Sequence, residues 1–390
     1  MKQIAFLHSE FPAGGAEHVT IKLANFLAAT GKYQTTIFCT CHQTELYPTE
    51  RKDFCVQVLP YKRMRHKKNL LFLIEKIKEL GIDVLVIQNI SFKHIKELCQ
   101  YTTCKLIYAN HSKPLWEVTH AELTKRERSK KAFRKKLRWL LWEYPQFHGI
   151  HFYKNKIIKR YKQNLKYYDQ YIVLCNGYRD EIIKELHLTD STTIRKIKVL
   201  NNSQEQVENP QLHKSPIVLF VGRITYSDKR IDRLLDIWNL VYPKLPDWKL
   251  WIVGDGPARS SLEEQTRRQN LQHVVFKGFS KHVEEYYRDA AILCLTSTFE
   301  GWPLALAEAQ AHGVIPMAFD CSAGVHELLQ NGNGILIPPF CIEKYADELF
   351  KLAIDKELQA SIQKRVIRNI EQYNISIIGQ EFIRIIESGS

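Results

Sequence analysis

Long apolar runs are missing from this 390-residue sequence. A membrane-spanning helix needs about 20 consecutive apolar residues, so the sequence is read as spanning no membrane. The N-terminus runs straight into a strand-like QIAFLH in place of the charged and apolar stretches of a signal peptide. Paired Cys-x-x-Cys spacing is missing too. The nine cysteines are odd in number and scattered, with Cys39 and Cys41 nearest each other in a β-like run. That pattern argues against zinc and disulfides and for reduced thiols in a cytoplasmic protein. No Gly-x-Gly-x-x-Gly follows the first strand, so a dinucleotide turn is not indicated. No Asp-x-Asp stands at a strand end, no internal repeat or low-complexity tract occurs, and no RNA-binding module signature is found.

What is present suits two domains. The chain is 45% apolar, ample for two cores, and domains of about 150–200 residues each are the natural division. A formal net charge of +14 asks for an anionic partner, with nucleic acid, anionic lipid and phosphorylated substrates all eligible.

The opening QIAFLHSEFPAGGAEHVTIKLANFLAATG reads as strand, Gly-Gly loop and amphipathic helix, with Val19, Leu23, Phe26 and Leu27 on one face. Gly14 and Gly15 would let this loop approach a phosphate or a sugar; a plain tight turn needs them equally. Strands TTIFCT, CVQVL, DVLVIQ and KLIYAN follow, with helices such as NLLFLIEKIKEL between them. This alternation implies a mostly parallel sheet, whose ligands bind beyond the carboxyl ends of the strands. His111 sits there, directly after KLIYAN, able to donate to a sugar hydroxyl or to bond backbone in its loop.

Residues 113–168 break the rhythm. Between Thr124 and Lys166 the only acids are Glu127 and Glu143, and Lys and Arg alternate with Trp139, Trp142, Tyr144, Phe147, Phe152 and Tyr153. A helix KKAFRKKLRWLLWEY places Phe133, Leu137, Leu140 and Leu141 on one side, flanked by cations. It fits an anionic membrane interface, an insertion packed on its own domain, or single-stranded nucleic acid. The strand patterns YIVLCN and KIKVL then lead to Asn201-Asn202 and a polar run ending near Pro210 and Pro216, which reads as the inter-domain linker.

In the second half, IVLFVG, KLWIVG, VVFKGF, AILCL, VIPMAF and GILIP alternate with helices. Two stretches carry chemistry. In STFEGWPLALAEA, Pro303 opens a helix, so the N–H groups of Leu304 and Ala305 face outward with the positive end of the dipole behind them, an anion site. Glu300 lies before the helix and Glu308 about 7–8 Å further along its axis. In FVGRITYSDKR, a strand ends at Gly222 and Arg223 with Lys229 beyond, a close-approach glycine beside the counter-charge a diphosphate needs.

Glu300-x7-Glu308, Gly222-Arg223 and Lys229 together resemble the donor-site signature of retaining glycosyltransferases of family 4, which have the GT-B fold. The Gly14-Gly15-Ala16-Glu17 loop, Val253-Gly254-Asp255-Gly256-Pro257 and Lys277-Gly278-Phe279 match in the same order, so the resemblance covers nearly the whole chain. It implies an α/β chain of two Rossmann-like domains with parallel sheets facing a central cleft. The expected bounds are 1–205 for the acceptor-binding domain, with the basic insertion at about 113–168, and 206–373 for the donor domain. A last helix at about 374–388 is expected to pack back on the first domain.

By the same resemblance, Arg223 and Lys229 clamp the donor diphosphate, Glu300 binds the donor sugar, Glu308 the ribose, and His111 lies near the sugar. Gly15, Gly222, Gly254 and Gly278 admit the nucleotide, Phe279 borders the base, and Leu304 and Ala305 carry phosphate. The chemistry implied is retaining transfer from a nucleoside-diphosphate sugar, uridine favoured over guanosine, with no metal and no cofactor, to a glycan or lipid-linked acceptor. An anionic inner membrane face is an expected partner and nucleic acid is not. Val325-His326 departs from the family's pattern of a polar residue after the glycine. Two other functions fit: a nucleotide-sugar epimerase, and a non-catalytic nucleotide-binding partner protein at the membrane surface.

Overall fold

β-Branched and aliphatic runs form the strands in both halves of the chain, which is described here from a computed structural model covering residues 1–12, 14–43, 53–90, 92–130 and 132–389. In the first half these are β1 (Lys2–Leu7), β2 (Glu10–Phe11), β3 (Tyr33–Cys39), β4 (Cys41–His42), β5 (Phe54–Val58), β6 (Val84–Gln88), β7 (Lys105–Ala109), β8 (Gln170–Val173) and β9 (Ile197–Val199). The second half supplies β10 (Ser215–Val221), β11 (Lys249–Val253), β12 (Val274–Gly278), β13 (Ala290–Leu295), β14 (Ile315–Phe319) and β15 (Ile335–Ile337). Pairing is parallel throughout, in the orders β5-β3-β1-β6-β7-β8-β9 and β12-β11-β10-β13-β14-β15, with β2 and β4 as a small separate pair. Central strands such as VLVIQ and AILCL are buried along their whole length, as a sheet covered on both faces requires.

The chain divides into two compact units: 1–114 with 153–203 and 375–390, and 115–152 with 204–374. Most of the basic helical stretch thus groups with the second unit, whereas the sequence reading gave 113–168 to the first domain. The physical reason is local. Leu115 takes a left-handed backbone (φ 56°) where the chain leaves the first unit, and the Trp116 ring lies 6.5 Å from that of Phe299 in the second.

In the first unit, the helix Ile375–Glu387 packs on the helix Gly15–Ala29, and Phe382 stacks on Phe6 of β1 at 5.9 Å. Gly379 makes this approach possible, since a Cβ there would lie 2.3 Å from the Phe26 ring. The helix end is closed by Lys105, whose Nζ donates to the carbonyls of Ile385 (2.8 Å) and Ser388 (2.6 Å). Lys214 does similar service in the second unit. Its Nζ donates to the carbonyls of Tyr287 (3.0 Å), Arg288 (2.9 Å) and His312 (2.9 Å), serving the ends of two helices, and burial pulls its pKa down to about 8.

The basic stretch folds as helix Trp116–Ser129, helix Phe133–Arg138, π-helix Trp139–Glu143 and helix Tyr144–His148. Glu143 is buried inside it with Arg128 at 2.6 Å and Arg138 at 3.3 Å, and Trp139 and Phe147 are buried beside it. The π-turn leaves three consecutive large apolar residues, Leu140, Leu141 and Trp142, outside. Phe133, Leu137, Leu140 and Leu141 are all exposed, Phe133 at 79%, so the face expected to be apolar does not pack on its own unit. Lys131 lies outside the described residues.

Candidate functional site

Three parallel strands of the second unit end in turns bonded to one another. Gly222 N–H donates to the Val253 carbonyl (3.0 Å), Ile224 N–H to Asp255 (2.8 Å) and Gly254 N–H to Gly278 (2.8 Å). Such closeness leaves no room for side chains: a Cβ on Gly254, at φ 135°, would sit 1.9 Å from the Gly222 carbonyl oxygen. Gly254 therefore serves backbone packing of the turns directly. Next to the turns lies a cavity of about 350 Å³ lined by Gly222, Arg223, Gly254, Asp255, Phe279 and Ser280. Phe279 is 66% exposed at its edge. Gly278 (φ 79°) is not in this lining; a Cβ on it would meet the Arg259 guanidinium at 3.2 Å.

The loop after Arg223 is organised by Asp228. Its carboxylate accepts from the hydroxyls of Thr225 and Ser227 (2.8 Å for Ser227) and from Arg223 Nη2 at 3.2 Å, while its carbonyl accepts from Thr298 N–H at 2.7 Å. Burial pushes the Asp228 pKa up, but those hydroxyls and the charges of Arg223 and Lys229 outweigh it and hold the carboxyl below its ordinary value. Asp228 thereby ties the basic loop to the acidic turn. The two meet directly: Lys229 Nζ lies 2.7 Å from Glu300 Oε1, which also accepts from Ser297 Oγ at 2.6 Å. Glu300 is 8% exposed, and this ammonium and hydroxyl both bond its Oε1.

The helix Leu304–Ala311 begins one position later than the sequence suggests, because Pro303 is its N-cap. Its first bonds run from the N–H groups of Leu306 (3.0 Å) and Ala307 (3.4 Å) to the Pro303 carbonyl, which leaves those of Leu304 and Ala305 at the open end. Glu308, on the same helix, accepts from the Tyr287 hydroxyl at 2.7 Å. Burial, with Glu308 adding to it, pushes the Tyr287 phenol well above its ordinary value, and the ring stacks on His312 at 5.5 Å. The phenol is thus a permanent donor that fixes one carboxylate oxygen.

In the first unit, His111 follows β7. Its Nε2 bonds the Gln88 Oε1, an oxygen that only accepts, so Nε2 carries the proton and the buried Nδ1 keeps a lone pair. The imidazole that sequence reasoning cast as a donor therefore offers an acceptor. Burial pulls its pKa down to about 4, reinforced by His8 and opposed by Glu17. His8 in turn lies between Glu17 Oε1 (3.3 Å) and Thr20 Oγ1 (2.9 Å). Gly15 is exposed at the start of its helix, after Gly14 as N-cap.

Of the expected residues, Arg223, Gly222, Gly254 and Phe279 share the cavity, Lys229 and Glu300 form a pair, and Leu304, Ala305 and Glu308 share one helix. His111 and Gly15 belong to the other unit. Asp228, Ser297 and Tyr287 escaped the sequence reading. The Asp-Lys step at 228–229 was a visible signal for the first; nothing in the sequence around Tyr287 pointed to Glu308.

The family model for glycosyl transferases group 1 matches residues 215–355, which hold β10 to β15 and the second-unit residues of this site, from Gly222 to His312. Among curated proteins, the amylovoran biosynthesis glycosyltransferase AmsD of Erwinia amylovora is 29% identical over 220 residues, 53% of this chain and 62% of that protein's length. A protein of Haemophilus influenzae named an uncharacterized glycosyltransferase is 26% identical over 98% of this chain and 99% of its own. Among solved structures, Anabaena HepE in complex with UDP-glucose superposes with a TM-score of 0.75 at 16% identity, covering 100% of both chains. Residues 215–355 match the group 1 glycosyl transferase family model, and the chain has the GT-B fold of these solved structures.

Proposed function

We propose that this chain moves a sugar from a nucleoside diphosphate, uridine diphosphate in preference to guanosine diphosphate, to a glycan or lipid-linked glycan in cell-surface polysaccharide synthesis. Transfer retains the anomeric configuration and uses no bound metal. The observation that carries this reading is the cavity at the ends of β10 and β11, with Arg223 in its wall and the Lys229–Glu300 pair on the loop beyond. The UDP-glucose held by HepE and the amylovoran role in the name of AmsD support the donor and product classes.

The base and ribose occupy the cavity edge beside Phe279, with Glu308, held by Tyr287, accepting from ribose hydroxyls. Arg223 and Lys229 bind the diphosphate. An ammonium has three N–H donors, so Lys229 bonds a phosphate oxygen while keeping Glu300 in place, and Glu300 accepts from a sugar hydroxyl. The acceptor oxygen attacks the anomeric carbon on the face from which the diphosphate departs. The carbon–oxygen bond to phosphate breaks, and the acceptor's proton passes to the leaving phosphate. Fixed cations and the open N–H groups of Leu304 and Ala305 stabilise the negative charge that gathers there.

The exposed apolar ridge of Phe133, Leu140, Leu141 and Trp142 amid cations supports peripheral attachment to an anionic membrane face.

A panel of nucleotide sugars, scored by thermal shift and by slow nucleoside diphosphate release, tests the donor reading in the intact chain and in Glu308→Ala. One donor should stabilise and be hydrolysed, with both effects weaker in the variant. Absence of any shift at millimolar donor would refute the site. Interconversion of sugars with no acceptor would mark an epimerase instead.

A further inference from the structure

Between β5 and the helix Lys67–Glu79 the chain reads YKRMRHKK, placing Lys62, Arg63, Arg65, Lys67 and Lys68 within eight residues and no carboxylate among them. All five are exposed, and among the described residues none is in an ion pair. A charge run on a floppy loop would be merely solvated, but this loop is fixed. Asn69, 1% exposed, accepts from Tyr61 N–H (3.0 Å) and donates to the carbonyls of Tyr61 (2.8 Å) and Arg63 (3.1 Å). The Tyr61 and His66 rings stack at 3.8 Å and 8°. His94, which follows β6, donates from Nε2 to the Arg65 carbonyl at 3.0 Å, with Glu97 3.5 Å from its Nδ1. The loop backbone is therefore held in place, with five exposed cations along it beyond the carboxyl end of β5, the rim where parallel sheets bind their ligands.

The composition of the loop selects the partner. Its apolar content is small: Met64 is half-buried, and Tyr61, 37% exposed, stacks on His66 with Lys68 Nζ 5.6 Å from its ring centre. A bilayer surface calls for several exposed aliphatic and aromatic residues among the cations, which the 133–142 ridge has, whereas between Tyr61 and Lys68 only Tyr61 of that kind is exposed. Clustered cations with little apolar surface between them match discrete, multiply charged oxyanions, and a pre-ordered backbone loses little entropy on binding them. We propose that the Tyr61–Lys68 loop docks a phosphorylated glycan acceptor through its phosphate groups, with Lys62, Arg63, Arg65 and Lys67 as the contacts. This rests on the transfer reading above and names the chemical class of the acceptor.

Phosphomannan and the same polymer after phosphatase treatment are the probes, titrated calorimetrically into the full chain. Three proteins are compared: wild type, a loop variant (Lys62→Gln, Arg63→Gln, Arg65→Gln, Lys67→Gln) and a donor-site variant (Arg223→Gln, Lys229→Gln). Wild type and donor-site variant should bind only the phosphorylated polymer, more weakly as salt rises. The loop variant should bind at least tenfold more weakly while keeping wild-type affinity for UDP, which shows that it is folded. Equal binding of phosphomannan by the loop variant overturns the proposal. So does binding of the phosphatase-treated polymer, or loss by the loop variant of attachment to phosphatidylglycerol vesicles with phosphomannan binding intact. Failure of the transfer reading would show separately, as absence of donor binding in the nucleotide-sugar panel.

Discussion

Replacing Tyr287 by Phe deletes one hydroxyl and almost nothing else. The ring is fully buried and stacked on His312, and Phe keeps that packing. What is lost is the 2.7 Å bond to Glu308 Oε2. A hydrogen bond to a charged group contributes about 1.5–3 kcal/mol. Glu308 is partly exposed and regains part of this from water, so the lower end applies, and about 1.4 kcal/mol is tenfold in affinity. Calorimetric titration with UDP should therefore give a dissociation constant about tenfold higher for Tyr287→Phe. Glu308→Gln should show a similar loss, and the double variant should be no worse than the worse single one, because both remove the same oriented carboxylate. The Tyr287 phenol is pushed well above its ordinary value, so the defect should be the same at pH 6 and pH 8.5. Unchanged UDP affinity in Tyr287→Phe together with a loss in Glu308→Gln would refute the positioning role. Losses that simply add would refute the shared pathway.

His111 has a folded pKa of about 4 against an ordinary 6.5, so between those values the unfolded chain binds the extra proton and stability rises with pH. Urea unfolding at pH 4.5 and pH 7 should show this slope, at most about 3 kcal/mol in all, and His111→Asn should flatten it; an unchanged slope contradicts the buried neutral imidazole. Gly379→Ala should destabilise the chain by about 1–3 kcal/mol, seen as a lower midpoint in urea, because the new methyl meets the Phe26 ring; wild-type stability would disprove that contact. Leu141→Ser with Trp142→Ser should weaken flotation with anionic vesicles at both low and high salt. Lys130→Glu with Lys135→Glu and Lys136→Glu should weaken it mainly at low salt; retained binding in both variants would remove the ridge from consideration. Product formation should persist in excess EDTA, and its abolition with rescue by a divalent ion would refute metal-free transfer.

Sequence pattern disclosed the strands because a fully covered parallel sheet writes itself as unbroken apolar runs, and AILCL or VLVIQ admit few other readings. Motif residues were legible for a related reason: Gly254 and Glu300 stand at strand ends, where chemistry and backbone crowding both restrict residue type. The grouping of 115–152 with the second unit was hidden, because one ring contact, Trp116 with Phe299, links positions far apart in sequence. The proton on His111 was hidden too, since it is set by Gln88 across a neighbouring strand. Pairings such as Tyr287 with Glu308 depend on which helix faces follow from the sheet order, and local propensity carries none of that information.

Because the helix Ile375–Glu387 packs against β1 and Phe26, the first unit is built from segments that leave the ribosome far apart in time. At about 5–20 residues per second, the roughly 170 residues from 204 to 374 take about 10–35 s to emerge. Throughout that interval the surface around Phe6 and Phe26 lacks its cover, while the contiguous sheet β10–β15 can close as soon as β15 and its helices are out. Synthesis order thus predicts that the later half of this protein matures first, and that the nascent first half is the stage at which chaperones would matter most.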